Sequence, residues 1–289
     1  MHDRILSALF AGLFAAGLTA STVAQAAPPP AGAKYVAMGS SYAAGTSLKA
    51  KAVDSPANCG QGTDSYPRQV ARALGLRLVD RSCGGAVTRD VLLGGQYGLP
   101  PQIDAVDADT RLVTITIGGN DVRFVADLGL FSCRHRLQEV PEAGRQYSCV
   151  AAPDFSEEAA FAALEPNLRE IAQKVRQRAP QARLLFIDYI TVVPDAGTCA
   201  DLALSEDEAT ALRSRARRLA ALTARVAAEN GADIIQASAL SHGHDVCSKQ
   251  PWAWGFVPNY NPATAQSVPF HPRLEGTTAI AQAILARLK

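Results

Sequence analysis

Short apolar runs recur along the chain, and stretches with helical spacing lie between them. Lys34–Met38, Arg77–Val79, Leu112–Ile117, Arg183–Ile187 and Asp233–Gln236 read as five strands. Leu164, Leu168, Ile171 and Val175 share one face of a predicted helix. Ser205 and Glu208 have the spacing of a capping box. They open a helix with Leu212, Leu219, Leu222 and Val226 on its apolar side, and Asn230-Gly231 closes it. Ile280, Ile284 and Leu288 line a last helix. Strands alternating with helices predict a parallel sheet covered on both faces.

The beginning of the chain follows a different pattern. Arg4 precedes an almost entirely apolar run from Ile5 to Leu18, and Ala24-Gln25-Ala26 has the small-x-small form of a cleavage site. This predicts a secretory signal peptide over 1–26, with the run too short for a membrane anchor of about 20 residues. Residues 27–33 form a Pro-rich mature terminus expected to be extended and mobile, and 34–289 read as one domain.

Composition narrows the function classes. Of 289 residues 48% are hydrophobic and the net charge is only +1, which excludes extended disorder and argues against a nucleic-acid binder. Arg213, Arg215, Arg217, Arg218 and Arg225 crowd one helix. With Glu206, Asp207 and Glu208 at its start, where the helix dipole favours acids, they read as a solvated face rather than an anion site. Cys59, Cys83, Cys133, Cys149, Cys199 and Cys247 are even in number, which in an exported chain implies three disulfides. Fifteen connectivities are open to six cysteines. Sequential pairing, which closes three local loops, is the expected one. No metal-ligand spacing is present; His242 and His244 are assigned to a structural loop, and Trp252 and Trp254 to packing.

In open α/β sheets, sites form beyond the carboxyl ends of the strands. Gly39-Ser40-Ser41-Tyr42 follows the first strand, Gly84-Gly85-Ala86 the second and Gly118-Gly119-Asn120-Asp121 the third; His271-Pro272 stands just before the last helix. A hydroxyl nucleophile needs a base and an oxyanion hole. Ser41 is the candidate nucleophile and His271 the candidate base. The backbone N–H groups of Ser41 and Gly85, with the Asn120 amide, are the candidate oxyanion donors. Gly85 lacks a Cβ, so an oxygen can approach its N–H closely.

These four blocks, in this order, resemble the SGNH (GDSL-type) hydrolases over nearly all of the mature chain. The three-disulfide framework further resembles that family's secreted actinomycete-type esterases and lipases. The resemblance implies a flavodoxin-like three-layer α/β/α domain with about five parallel strands. It also implies Ser41 as nucleophile, His271 as base, and Ser41, Gly85 and Asn120 as the oxyanion hole. Two positions depart from the pattern. Gly-Ser-Ser replaces Gly-Asp-Ser, and the acid often found three residues before the histidine is replaced by Val268. A backbone carbonyl is therefore expected to orient His271, first Val268 and second Ser267, with Asp245 the charged alternative.

The expected function is a secreted serine esterase or lipase, extracellular or periplasmic. It acts on small-molecule or lipid esters, as a monomer without cofactor, nucleic acid or stable membrane insertion. An exported acyltransferase, a carbohydrate acetylesterase and a non-catalytic binding protein are the alternatives.

Overall fold

A computed structural model of the chain describes residues 27–142, 145, 149–151, 154–260 and 267–289. The predicted signal peptide over 1–26 lies outside the described residues. In chain order the elements are β1 (Lys34–Gly39), α1 (Ser41–Ala44), α2 (Tyr66–Leu74), β2 (Arg77–Asp80), α3 (Thr88–Leu92) and β3 (Thr110–Thr116). Next come α4 (Phe124–His135), α5 (Glu157–Arg178), β4 (Arg183–Ile187), α6 (Glu206–Glu229), β5 (Asp233–Ile235), α7 (Ala237–Leu240) and α8 (Leu274–Leu288).

The five strands form one parallel sheet in the order β2-β1-β3-β4-β5. The order reverses at β1. Because parallel crossovers are right-handed, the β1-to-β2 helix lies on one face and the β3-to-β4 and β4-to-β5 helices on the other. Accordingly α2 packs against α8, while α5 packs against α3 and α6. Central strands are buried on both faces, and their sequences are correspondingly continuous apolar runs.

The predicted helix faces are the buried ones: Leu164, Leu168, Ile171 and Val175 on α5, Leu212, Leu219, Leu222 and Val226 on α6, and Ile280, Ile284 and Leu288 on α8. The capping box forms as expected, Ser205 N–H donating to Glu208 (2.9 Å) and Glu208 N–H to Ser205 Oγ (3.3 Å). The cysteines pair sequentially, Cys59–Cys83, Cys133–Cys149 and Cys199–Cys247. The Pro-rich leader is pinned at its end, where Gly32 N–H donates to Gly75 and Ala33 accepts from Arg77.

Arg213 and Arg215 correct the reading of a solvated face, while Arg217 and Arg225 are exposed as expected. Arg215 is buried and bonds Asp127 on α4 at 2.6 Å and Glu157 on α5 at 2.7 Å. Buried Arg213 donates to the Pro194 carbonyl, and Arg218 and Arg225 reach Glu158 and Glu165 across to α5. The acids that hold Arg215, Arg218 and Arg225 lie 58 to 88 residues away in sequence, so helical spacing alone conceals the pairing. No helix of the described residues is long and apolar enough to cross a membrane.

Candidate active site

The reversal of strand order at β1 opens a crevice at the sheet's carboxyl edge, and the turns after β1, β2 and β3 meet there. Gly39 ends β1 with φ +127°. A Cβ at this position would lie 2.3 Å from the Thr116 carbonyl oxygen of the neighbouring strand, so only glycine fits. Ser40 N–H then donates to that same carbonyl at 2.9 Å, and Gln102 clasps the Gly39 peptide from both sides. The chain turns directly into α1, whose first residue is Ser41. Ser41 N–H is one of the helix's unpaired leading donors and finds no acceptor among the described residues.

The second turn is tied to the first. Cys83 N–H donates to the Gly39 carbonyl at 3.0 Å, and Gly84 N–H donates to the Cys59 carbonyl at 3.0 Å, beside the Cys59–Cys83 disulfide. Gln96 donates to the Gly84 carbonyl at 2.7 Å. Gly85 follows with φ +82°, a conformation that requires glycine here, and its N–H is also without an acceptor among the described residues. In the third turn Asn120 Nδ2 donates one hydrogen to the Ala86 carbonyl at 2.9 Å. An amide nitrogen carries two hydrogens, so the second remains available. Asp121 accepts from the Thr88 N–H at 3.0 Å, which locks the third turn to the start of α3.

His271 comes from a loop. Its N–H closes a turn onto the Val268 carbonyl at 3.3 Å, with Pro269 second and Phe270 (φ +61°) third, the backbone pattern of a type II turn. Trp254 brackets this turn from both sides, its carbonyl accepting from Phe270 N–H and its N–H donating to His271. Tyr42 OH donates to the Phe270 carbonyl at 2.5 Å.

In consequence His271 Nε2 lies 2.7 Å from Ser41 Oγ, and Nδ1 lies 2.7 Å from the Pro269 carbonyl. A carbonyl only accepts, so Nδ1 carries the hydrogen and Nε2 presents its lone pair to the Ser41 hydroxyl. Burial is the main influence on the ring and lowers its pKa to about 4; Lys51 adds to this, while the Pro269 carbonyl opposes it. At neutral pH the imidazole is therefore a neutral acceptor. Ser40 faces the other way, its Oγ lying 3.3 Å from Tyr189 OH.

The carbonyl that faces the ring corrects the expectation. It is Pro269, not Val268, whose oxygen is used by His271's own N–H, and not Ser267. The turn geometry decides this, because it aims the carbonyl two residues before the histidine at the ring. A proline two residues before the histidine is the sequence signal for this turn. Asp245 accepts from Cys247 N–H at 2.9 Å and makes no hydrogen bond to His271. His244 stacks on Trp252 with 4.1 Å between centroids, His242 bonds Asp195 at 2.8 Å and His135 bonds Glu208 at 2.7 Å.

Tyr189 was not singled out by its sequence context. Its OH accepts from Gly119 N–H at 2.9 Å, and a Cβ on Gly119 would lie 2.6 Å from its ring. Its ring meets the Tyr42 ring edge-on at 4.6 Å. It thus supports the Ser41 and Asn120 turns together.

Residues 37–279 match the GDSL-like lipase/acylhydrolase family. The chain is 35% identical to Lipase 2 of Streptomyces coelicolor, over 87% of this chain and 86% of that protein. It is similar to the crystal structure of an extracellular lipase from Streptomyces rimosus, with TM-score 0.68 and 28% identity, covering 88% of this chain and 99% of that one. It shares the fold of a phospholipase A1 from Streptomyces albidoflavus, with TM-score 0.71 and 24% identity over 89% of this chain and 100% of that one. The four sequence blocks, the parallel sheet that gathers them and these likenesses together make the chain a carboxylic ester hydrolase belonging to the GDSL-like lipase/acylhydrolase family.

Proposed function

We propose that the chain hydrolyses its esters by a Ser41–His271 dyad through an acyl-enzyme. The observation that carries this is the 2.7 Å approach of His271 Nε2 to Ser41 Oγ, with Nδ1 held by a backbone acceptor. Ser41 Oγ attacks the ester carbonyl carbon while its proton passes to His271 Nε2. The carbonyl π electrons move to the oxygen, which is met by the N–H groups of Ser41 and Gly85 and the free Asn120 hydrogen. Collapse of the tetrahedral intermediate breaks the bond to the alcohol oxygen, which takes the proton from His271. Water then attacks the acyl-Ser41 carbonyl and gives a proton to His271. The second collapse breaks the bond to Ser41 Oγ, returns that proton to it and releases the carboxylic acid. The Pro269 dipole keeps the tautomer correct throughout, in the place a triad carboxylate would hold.

Likeness to the S. coelicolor and S. rimosus lipases supports lipid esters as the substrate class. The leader over 1–26 and the three disulfides support export, with the mature chain beginning at Ala27. A panel of p-nitrophenyl esters of rising chain length, phospholipids and acetylated sugars, run on wild type and Ser41→Ala, tests the reading. Turnover of lipid esters that vanishes in the variant is expected; turnover surviving in Ser41→Ala rejects the dyad. Amino-terminal sequencing of the protein released by a secreting host tests the cleavage site.

A further inference from the structure

A cavity of about 120 Å³ lies at the carboxyl edge of the sheet, between the loop after β4, the middle of α6 and the start of α4. Neither Ser41 nor His271 lines it. Phe124, Ile190, Val193 and Leu219 supply apolar walls. Tyr189 separates it from the nucleophile turn, since its OH is engaged with Ser40 and Gly119 N–H. Leu219 also packs under Gly118, where a Cβ would lie 3.2 Å away. The cavity thus backs onto the turn that carries Asn120.

Its charged lining is two arginines and one aspartate. Asp195 is engaged by His242, and Arg213 is consumed by the Pro194 and Gly197 carbonyls. Arg217 is exposed and, among the described residues, pairs with no acid or carbonyl. It contrasts with its α6 neighbours Arg215, Arg218 and Arg225, each of which is ion-paired. An apolar recess with one uncommitted guanidinium among its lining residues complements an alkyl chain ending in a carboxylate. The volume is well below the roughly 300–1,000 Å³ of pockets for drug-sized ligands, so the chain must be short.

We propose that this cavity is a second, non-catalytic site for a short-chain aliphatic carboxylate, with the tail against Phe124 and Leu219 and the head at Arg217. The assignment does not rest on the Ser41–His271 mechanism, and its test is a binding measurement on Ser41→Ala protein, where turnover plays no part. Hexanoate is titrated calorimetrically into Ser41→Ala, Ser41→Ala/Arg217→Gln and Ser41→Ala/Ala220→Trp, with hexan-1-ol as the neutral control. Ala220 lines the cavity, so the indole fills it. Saturable binding in the millimolar range or tighter is expected, weakened at least about threefold by Arg217→Gln for hexanoate but not for hexanol. Ala220→Trp should weaken both ligands at least about tenfold, its fold checked by an unchanged thermal melt. Arg217 is exposed, so its variant keeps the test decisive if the tryptophan variant does not fold. Absence of saturation up to about 10 mM, or equal hexanoate affinity in Ser41→Ala and its Arg217→Gln variant, overturns the proposal.

Discussion

Ser41 and His271 meet at 2.7 Å, yet the chain holds them in different ways. Ser41 stands at the end of a central strand and the start of a helix, and its turn is stitched to β3 and to the Gly84–Gly85 turn by backbone hydrogen bonds. Its position follows from the sheet itself. His271 sits in a loop at the far end of the sequence, and the loop is held by particular side chains and by Trp254's backbone. One half of the proposed dyad thus depends on the fold, and the other on a few contacts that each can be removed.

Removing the proposed nucleophile and base should have the largest effects. Ser41→Ala is expected to lower kcat by on the order of 10⁴–10⁶, with an unchanged melt. Ser40→Ala should keep much of the activity, because its hydroxyl faces Tyr189 and not His271. A dead Ser40 variant beside an active Ser41 variant would reverse the assignment of the nucleophile. His271→Ala should cost roughly 10²–10⁴.

As the proposed base, His271 must be neutral to work, and burial lowers its pKa to about 4. Protonation removes activity as pH falls, so the acid limb of log kcat/KM should lie near pH 4 rather than near the ordinary histidine value of about 6.5. An acid limb near 7 would show that a negative charge supports the ring after all.

Asn120→Ala tests the backbone-stitched side, where loss of one oxyanion donor should lower kcat by roughly 10²–10³ with a smaller change in KM. An effect confined to KM would assign the amide to ground-state binding.

The looser side is probed more gently by Tyr42→Phe. The variant leaves the Phe270 carbonyl buried without its donor, at a stability cost of about 1–3 kcal/mol. Freed to tilt, the His271 turn should lose about tenfold in kcat, an effect of roughly 1.4 kcal/mol on the barrier. A destabilised but fully active Tyr42→Phe would show that Trp254 alone positions the turn. The smallest effect is expected from Asp245→Asn, within about tenfold in kcat, because its carboxylate caps the Cys247 N–H and does not touch the ring. A loss approaching the roughly 10⁴ known for removal of a triad acid would place a charged third member at the site.

The same division separates what was legible in the chain from what was not. Strand runs, helix faces, the capping box and the three glycine turns are local patterns. They depend on residues a few positions apart, whose backbone geometry and burial periodicity are written in residue type. Gly39, Gly85 and Gly119 are examples: each is glycine because φ or a neighbouring atom excludes a Cβ. Arg213 and Arg215 misled as a solvated face because their partners, the Pro194 carbonyl on one side and Asp127 and Glu157 on the other, come from other segments.

The sequence by itself determined the order of strands and helices, the turn chemistry at the end of β1, β2 and β3, and the candidate pair Ser41 and His271. Tertiary structure alone decided which carbonyl fixes the histidine's tautomer and how far its pKa falls. Orientation at the dyad depends on how Tyr42, Trp254 and Phe270 pack around one turn. Desolvation depends on everything that closes over the ring. Both are sums over neighbours distant in the chain, and no local pattern carries them.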